Sequence, residues 1–324
     1  MTDSGGAQTV RTIFLGSGQF AVPIVTALAR HPRVRLLGVV TARSDTPLQE
    51  WAESHEITSY RPARLRDAKA IDGVRRGKPD LLVLADYGQL VPQELLDLPT
   101  HGALNLHPSL LPRYRGASPI PATILAGDRE TGVSLIRMDA GMDTGPIIAQ
   151  RRIPVEAADN AVSLETRLAV TAADLLSDSL GPWLDGEITP WPQSSEDVTM
   201  TRPLRREDGR LDPQLGIVHL DRQLRAYQPW PGTFIETVHG RVIVWDARPL
   251  EAGAMRHPGT IVGLPANRLA LAASDGLLEL IEVQPAGGRR MTGAELLRGR
   301  PTLAGSEIIR GPDDGWEADL EPPS

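Results

Sequence analysis

Cysteine is absent from this sequence. That excludes disulfide cross-links and thiolate-bound metal, and it fits a chain working in a reducing cytoplasm. Lysine is nearly missing: Lys69 and Lys78 are the only two, and every other base among the 34 is arginine. Arginine grips phosphate bidentately, but coding composition alone produces the same bias. No run approaches the ~20 apolar residues of a membrane-spanning helix. Residues 1–9 have neither a basic start nor an apolar block, so they read as a flexible polar tail rather than a secretory signal. Neither His-x-x-x-His spacing nor a carboxylate cluster occurs, and no metal site is expected.

A positive charge balance is lacking as well. The formal charge is −7 at neutral pH, an unpromising background for binding a polyanion. The distribution is uneven, however: residues 1–200 sum to about −5, residues 201–312 to about +3 and residues 313–324 to about −5. The last stretch reads as an acidic, solvated, disordered tail.

What is present suffices for two domains, since 324 residues are long for one core. Residues 10–15 are apolar and end on Gly16-Ser17-Gly18, after which Phe20, Ile24 and Leu28 repeat at helical spacing. This strand, glycine turn and helix echo a dinucleotide-binding loop. The acidic residue that should follow the second strand, 34–40, is replaced by Thr41-Ala42-Arg43-Ser44. Gly16 and Gly18 are therefore read as turn glycines. The pattern predicts a helix at 48–55, a strand buried on both faces at 81–85 closed by Asp86-Tyr87-Gly88, and a helix at 92–98. Further on it predicts a helix at 120–126, strands at 133–137 and 147–153, and a long amphipathic helix at 162–184. Such alternation means an α/β sheet, whose ligands sit off the carboxyl ends of its strands. Asp86, Asn105, His107 and the loop holding Asp143 are all expected at those ends. Residues 186–210 are polar and proline-bearing and read as a linker. Five short strands follow between 232 and 283, the signature of a small antiparallel barrel or sandwich.

The most informative stretch runs from Ala103 to Gly116: Ala-Leu-Asn-Leu-His-Pro-Ser-Leu-Leu-Pro-Arg-Tyr-Arg-Gly. Asn105 and His107 are two apart, so a strand delivers both side chains to one face. Pro108 cannot donate to a ladder and should end the strand. Leu110 and Leu111, apolar within a loop, suggest a wall for a flat ligand. Some twenty-five residues on, Met138-Asp139-Ala140-Gly141-Met142-Asp143-Thr144-Gly145 forms a glycine-punctuated loop with two carboxylates. Asp139 reads as a loop-former, which leaves Asp143 as the candidate for chemistry.

Together, Asn-x-His-x-Ser-Leu-Leu-Pro-x-x-Arg-Gly and Asp-x-Gly-x-Asp-Thr-Gly closely resemble the folate-dependent formyltransferases. Gln228-Pro229-Trp230-Pro231-Gly232 and the segment from Gln284 to Met291 are similar to the second domain of the methionyl-tRNA branch of that family. The resemblance runs from about residue 11 to about residue 301. It implies an N-terminal open Rossmann-like α/β sheet domain (10–185), the linker (186–210) and a C-terminal OB-like β-barrel domain (211–312). It also implies 10-formyltetrahydrofolate as formyl donor, initiator methionyl-tRNA as acceptor, a cytoplasmic protein and a monomer. Asn105, His107 and Asp143 match the catalytic trio. Asn105 and a protonated His107 would meet the oxyanion, and Asp143 would accept the amine proton or hold His107 cationic. Ser109, Leu110, Leu111 and Pro112, with Asp86, Tyr87 and Gly88, match the folate-contacting segments. Arg113 and Arg115 would meet the folate tail or cap their loop.

Two departures stand out. Asp86 stands where relatives usually carry a small apolar residue, and it either alters the pteridine pocket or is harmless. The basic loop that in this family follows the second strand and reaches the acceptor stem is short here, with Arg43 its only base. The tRNA grip is therefore expected from arginines of the linker and barrel, chiefly Arg202, Arg205, Arg206, Arg289 and Arg290. Rival readings are a formyltransferase for a nucleotide-linked amino sugar and a non-catalytic folate- or tRNA-binding protein. Trp230 and the Arg289-Arg290-Met291 segment favour the tRNA substrate, and the intact trio argues against the non-catalytic reading.

Overall fold

A computed structural model describes residues 9–250 and 256–309. Residues 1–8 of the expected N-terminal tail and the whole acidic tail at 313–324 lie outside the described residues. The order is β1 (Val10–Gly16), α1 (Ala21–Arg30), β2 (Val34–Thr41), α2 (Pro47–Ser54), β3 (Ser59–Tyr60), α3 (Ala68–Arg76), β4 (Leu81–Ala85), α4 (Gln93–Leu96) and β5 (Ala103–His107). Next come β6 (Arg115–Gly116), α5 (Pro119–Ala126), β7 (Glu130–Arg137), β8 (Ile147–Pro154), α6 (Ala161–Leu184) and β9 (Met200–Thr201). Seven of the strands form one sheet in the order β3-β2-β1-β4-β5-β7-β8. Its central strand, β4, is buried at all five positions, as an unbroken Leu-Leu-Val-Leu-Ala run demands in a sheet covered on both faces.

The strands from β3 to β5 are parallel, but β7 runs antiparallel to β5, with Asn105 opposite Ile136 and His107 opposite Ser134. This corrects one expectation. The carboxyl end of β7 lies beside the amino end of β5, where Met138 N–H donates to the Ala103 carbonyl. The Asp143 loop therefore starts at the wrong edge for a ligand site and must fold back to reach Asn105. Hairpin pairing between β7 and β8 fixes it in place. Several elements escaped the sequence reading, among them β3, which has only two residues, and α3, which buries just Ala70, Ile71 and Val74 among charged neighbours.

Two compact units divide the chain. The first holds the sheet and extends through Arg202; the second holds Ile120–Asp128, Glu156–Val162 and the described residues from Pro203 on. The second unit comprises α7 (Ile217–Tyr227), β10 (Thr233–Thr237), β11 (Gly240–Leu250), β12 (Ile261–Leu264), β13 (Arg268–Ala272), β14 (Leu277–Pro285), β15 (Met291–Thr292) and α8 (Gly293–Gly299). Its strands form an antiparallel sheet in the order β10-β11-β14-β13-β12, with β15 on β14. Residues 305–309 decide between barrel and sandwich. Gly305 N–H donates to the Ile261 carbonyl and Ile308 N–H to Gly259, while Ile309 N–H donates to Glu236 of β10. One segment thereby bonds to both open edges and closes the barrel around Leu220, Val244, Leu271, Leu278 and Val283, all essentially inaccessible.

Candidate active site

β5 brings Asn105 and His107 to one face, and the β7–β8 loop returns to meet them. Asn105 Nδ2 donates to Asp143 Oδ1 at 3.1 Å, and Gly116 N–H donates to Asp143 Oδ2 at 2.9 Å. His107 Nδ1 lies 3.5 Å from the same Oδ2. The three candidate residues converge, and the carboxylate is their hub. On the far side of the ring, His107 Nε2 is 2.8 Å from the Tyr114 carbonyl. A carbonyl only accepts, so Nε2 carries a hydrogen and Nδ1 is the ring nitrogen that faces Asp143. A ring nitrogen facing a carboxylate oxygen at this distance is a place for one proton. Asp143 itself has a φ of 55°, left-handed backbone that Asp and Asn tolerate better than other side chains. Asp139 ties the loop to itself, accepting from Gly141 N–H at 3.0 Å and from the Thr144 hydroxyl at 2.6 Å.

The segment after β5 is pinned from within. The Ser109 hydroxyl donates to the Arg113 carbonyl, and the Ser134 hydroxyl donates to that of Ser109 while accepting from Leu111 N–H. Gln150 Nε2 donates to the Leu111 carbonyl at 2.9 Å. The side chains of Ser109 and Leu111 are buried, Leu111 against Ile136 and Ile147. Of that expected folate-contacting run, Leu110 and Pro112 are half-buried. Arg113 and Arg115 are both engaged locally, Arg113 donating to the Tyr114 hydroxyl and Arg115 to Gln193 Oε1 through two nitrogens.

At the neighbouring end of β4, Tyr87 points into the core, and its buried hydroxyl has no hydrogen-bond partner. Burial, helped by Tyr60, pushes that hydroxyl up to about 12. Gly88 has a φ of 75° and turns the chain toward Leu90, whose side chain is 80% exposed. Asp86 does something the sequence did not announce. Its Oδ2 accepts from Gly18 N–H at 2.9 Å, and Glu165 Oε1 accepts from Phe20 N–H at 3.1 Å. Burial holds the Asp86 carboxyl above the usual carboxylate range, against the pull of Gly18 N–H and Arg43. Glu165 is raised by burial and then by Asp86. Two carboxylates thus fill the amide sites at the start of α1 where a bound nucleotide phosphate would sit. The glycine loop is thereby met by the protein's own carboxylates, and Gly16 has no room for a Cβ beside the Ala85 carbonyl.

The loop after β2 spans only residues 42–46, and Thr46 caps α2 by accepting from Gln49 N–H. Among the expected tRNA arginines, Arg206 lies over the Trp230 ring at 5.7 Å and Arg290 over the Trp245 ring at 3.5 Å. Arg289 approaches Glu295 at 3.5 Å and is 74% exposed. Arg205 caps a short helical turn, its N–H donating to Asp208, and Arg202 belongs to the first unit. Arg289 lines a cleft of about 520 Å³ with Arg298, Arg300 and the glycine turn of residues 286–288. Neither Arg298 nor Arg300 sits in a recognisable sequence motif. Arg222 and Arg225 donate to the carbonyls of Ala126 and Asp159, both in the second unit. Among the described residues, no helix is long and apolar enough to cross a membrane. None of their His, Asp or Glu side chains gather in threes to hold a metal ion.

Comparison with known proteins agrees with this geometry. The formyl transferase family pattern matches residues 7–180, and that of its C-terminal domain matches residues 203–301. The chain is 40% identical over 307 residues to the methionyl-tRNA formyltransferase of Thermus thermophilus, covering 92% of this chain and 99% of that one. Its fold is similar to HypX from Aquifex aeolicus in complex with tetrahydrofolic acid, with a TM-score of 0.62 and 19% identity over 90% of this chain and 47% of that one. WlaRD, a sugar 3N-formyl transferase, gives the same TM-score at 16% identity over 84% of this chain and 97% of that one.

Proposed function

The chain belongs to the formyl transferase family, and from that premise we propose that it moves the formyl group of 10-formyltetrahydrofolate onto the α-amine of initiator methionyl-tRNA. The observation that carries the reading is the convergence of Asn105, His107 and Gly116 on the Asp143 carboxylate. The choice of acceptor is supported by the 40% identity with the Thermus thermophilus enzyme, which extends through both units. Initiator methionyl-tRNA implies a cytoplasmic protein, and a monomer is sufficient for the site as built.

The donor fits the residues present. Exposed Leu90 and half-buried Leu110 and Pro112 offer apolar surface to a flat ring. The folate contributes the formyl carbon and a nitrogen leaving group. The protein supplies donors and a proton route. Asn105 spends one N–H on Asp143 and keeps the other for the formyl oxygen, where negative charge develops as the amine attacks. Because Nε2–H of His107 is committed to Tyr114, Asn105 is the principal side-chain donor to that oxygen. Asp143 takes the proton shed by the amine, with His107 Nδ1 as the adjoining proton site. As the new C–N bond forms and the formyl–nitrogen bond breaks, that proton passes to the departing nitrogen, so the cluster ends as it began.

The test is a formyl-transfer assay with purified protein and 10-formyltetrahydrofolate, offering methionyl-initiator-tRNA and a nucleotide-linked amino sugar side by side. Formylation of the methionyl amine is expected. Transfer to the sugar alone would reassign the acceptor, and transfer to neither would remove the catalytic reading.

A further inference from the structure

We propose that Gln193, in the segment expected to be a linker, is a positioning residue that sets the direction of the Asp143 carboxylate; the inference rests on the formyl-transfer reading above. Residues 191–201 are no free tether. Trp191 exchanges both backbone hydrogen bonds with Ile147 at the foot of β8. The Thr199 hydroxyl accepts from Tyr114 N–H at 2.7 Å, and β9 pairs with β6. The segment straps the Tyr114–Gly116 loop, which supplies the carbonyl for His107 and the N–H for Asp143.

Gln193 sits where the strap crosses both loops. Its Nε2 donates to the carbonyls of Asp143 at 2.7 Å and Gly145 at 2.8 Å. Its Oε1 accepts from Arg115 Nε at 3.0 Å and Nη2 at 2.6 Å. The amide orientation is chemically forced. Turned over, it would set oxygen against two carbonyl oxygens and N–H against a guanidinium. Both N–H groups and the oxygen are satisfied, so the side chain is held at four points. What it holds is the peptide leaving Asp143, a residue with a φ of 55°. Sparse backbone conformations persist when their surroundings over-determine them, and Gln193 supplies that constraint on the carbonyl side. From the other side of the Cα, the carboxylate must meet Asn105, Gly116 and His107 at once. A small rotation of the Asp143 peptide withdraws it from all three.

The experiment is a double-mutant cycle of Gln193→Ala and Asp143→Asn in the full chain, after formyl transfer to methionyl-tRNA has been established for the wild type. Misplacement by about 1 Å costs up to ~100-fold, so Gln193→Ala is expected to lower kcat by roughly 10- to 100-fold, with KM for both substrates within about threefold. In the Asp143→Asn background the same change should cost less than about threefold, because the group it positions is gone. Gln193→Glu retains the size and the Arg115 arm but loses the arm to Asp143 and Gly145. It should fall as far as Ala, and it replaces Ala if that variant fails to fold. The idea is overturned by an equal loss in both backgrounds, by a change confined to KM, or by a Glu variant with wild-type kcat. A wild type with no transfer activity would instead overturn the functional reading itself.

Discussion

Replacing Asp143 with asparagine separates a catalytic carboxylate from a turn former. The backbone should accept it, since Asn tolerates the φ of 55° found here. The side chain should not. Asp143 offers acceptors in both directions, Oδ1 to Asn105 and Oδ2 to Gly116. Asn has one acceptor, so whichever way its amide turns, one N–H faces another. An orphaned donor in a mostly buried site costs about 1–3 kcal/mol, and each kcal/mol lowers Tm by roughly 2–4 °C in a unit of this size. Loss of the proton acceptor costs about 100- to 10,000-fold in rate, equivalent to roughly 3–5 kcal/mol of barrier. The variant should therefore stay folded at 25 °C and lose nearly all turnover. Thermal melting and single-turnover formylation of methionyl-tRNA measure the two effects separately. A folded Asp143→Asn protein with kcat within about threefold of wild type would refute the argument and leave Asp143 as a turn residue.

Asn105→Ala should lower kcat by about 100-fold or more by removing the free oxyanion donor, with folate affinity far less affected; equilibrium folate binding beside steady-state kinetics checks this. Asp86→Asn should raise Tm near neutral pH. Burial raises the Asp86 carboxyl, so its contribution to stability is full below the unfolded-state value and is lost as pH rises through the folded one. Asn keeps an acceptor for Gly18 without that charge. The gain should vanish on acidification below about pH 4, and an equal gain at every pH would show that ionisation is not its cause. Truncating Arg289 and Arg290 should weaken methionyl-tRNA binding and flatten the log–log salt dependence by about one to two units; an unchanged slope would exclude this face as an anchor.

The sheet was legible where residues carry their own instructions. The run Leu81–Ala85 is apolar without interruption and became the buried central strand, and Pro108 ended β5 as its missing N–H requires. The Asn105–His107 pairing was legible because strand alternation is local. That Asp143 would join them came from the family resemblance alone, since period and spacing carry no information about a hairpin folding back across a strand. The direction of β7 was hidden for the same reason. The segment at 186–210 looked like a linker because it has few apolar residues. Its anchoring is done by backbone groups, threonine hydroxyls and one glutamine amide, none of which leaves a hydropathy trace. Conversely, the glycine loop after β1 resembled a nucleotide site, and only coordinates could reveal protein carboxylates on its amides.

The closing of the barrel by residues 305–309 bears on how the second unit comes into being. Synthesis proceeds from the amino end, so β10 and β12 leave the ribosome well before the segment that bonds to both of them. Until Ile309 reaches Glu236 and Ile308 reaches Gly259, the nascent sheet carries two open edges, each a template for another chain. A ribosome stalled short of Gly305 would hold out a sheet ready to pair with a neighbour. Residues 305–309 are the ones that end that exposure.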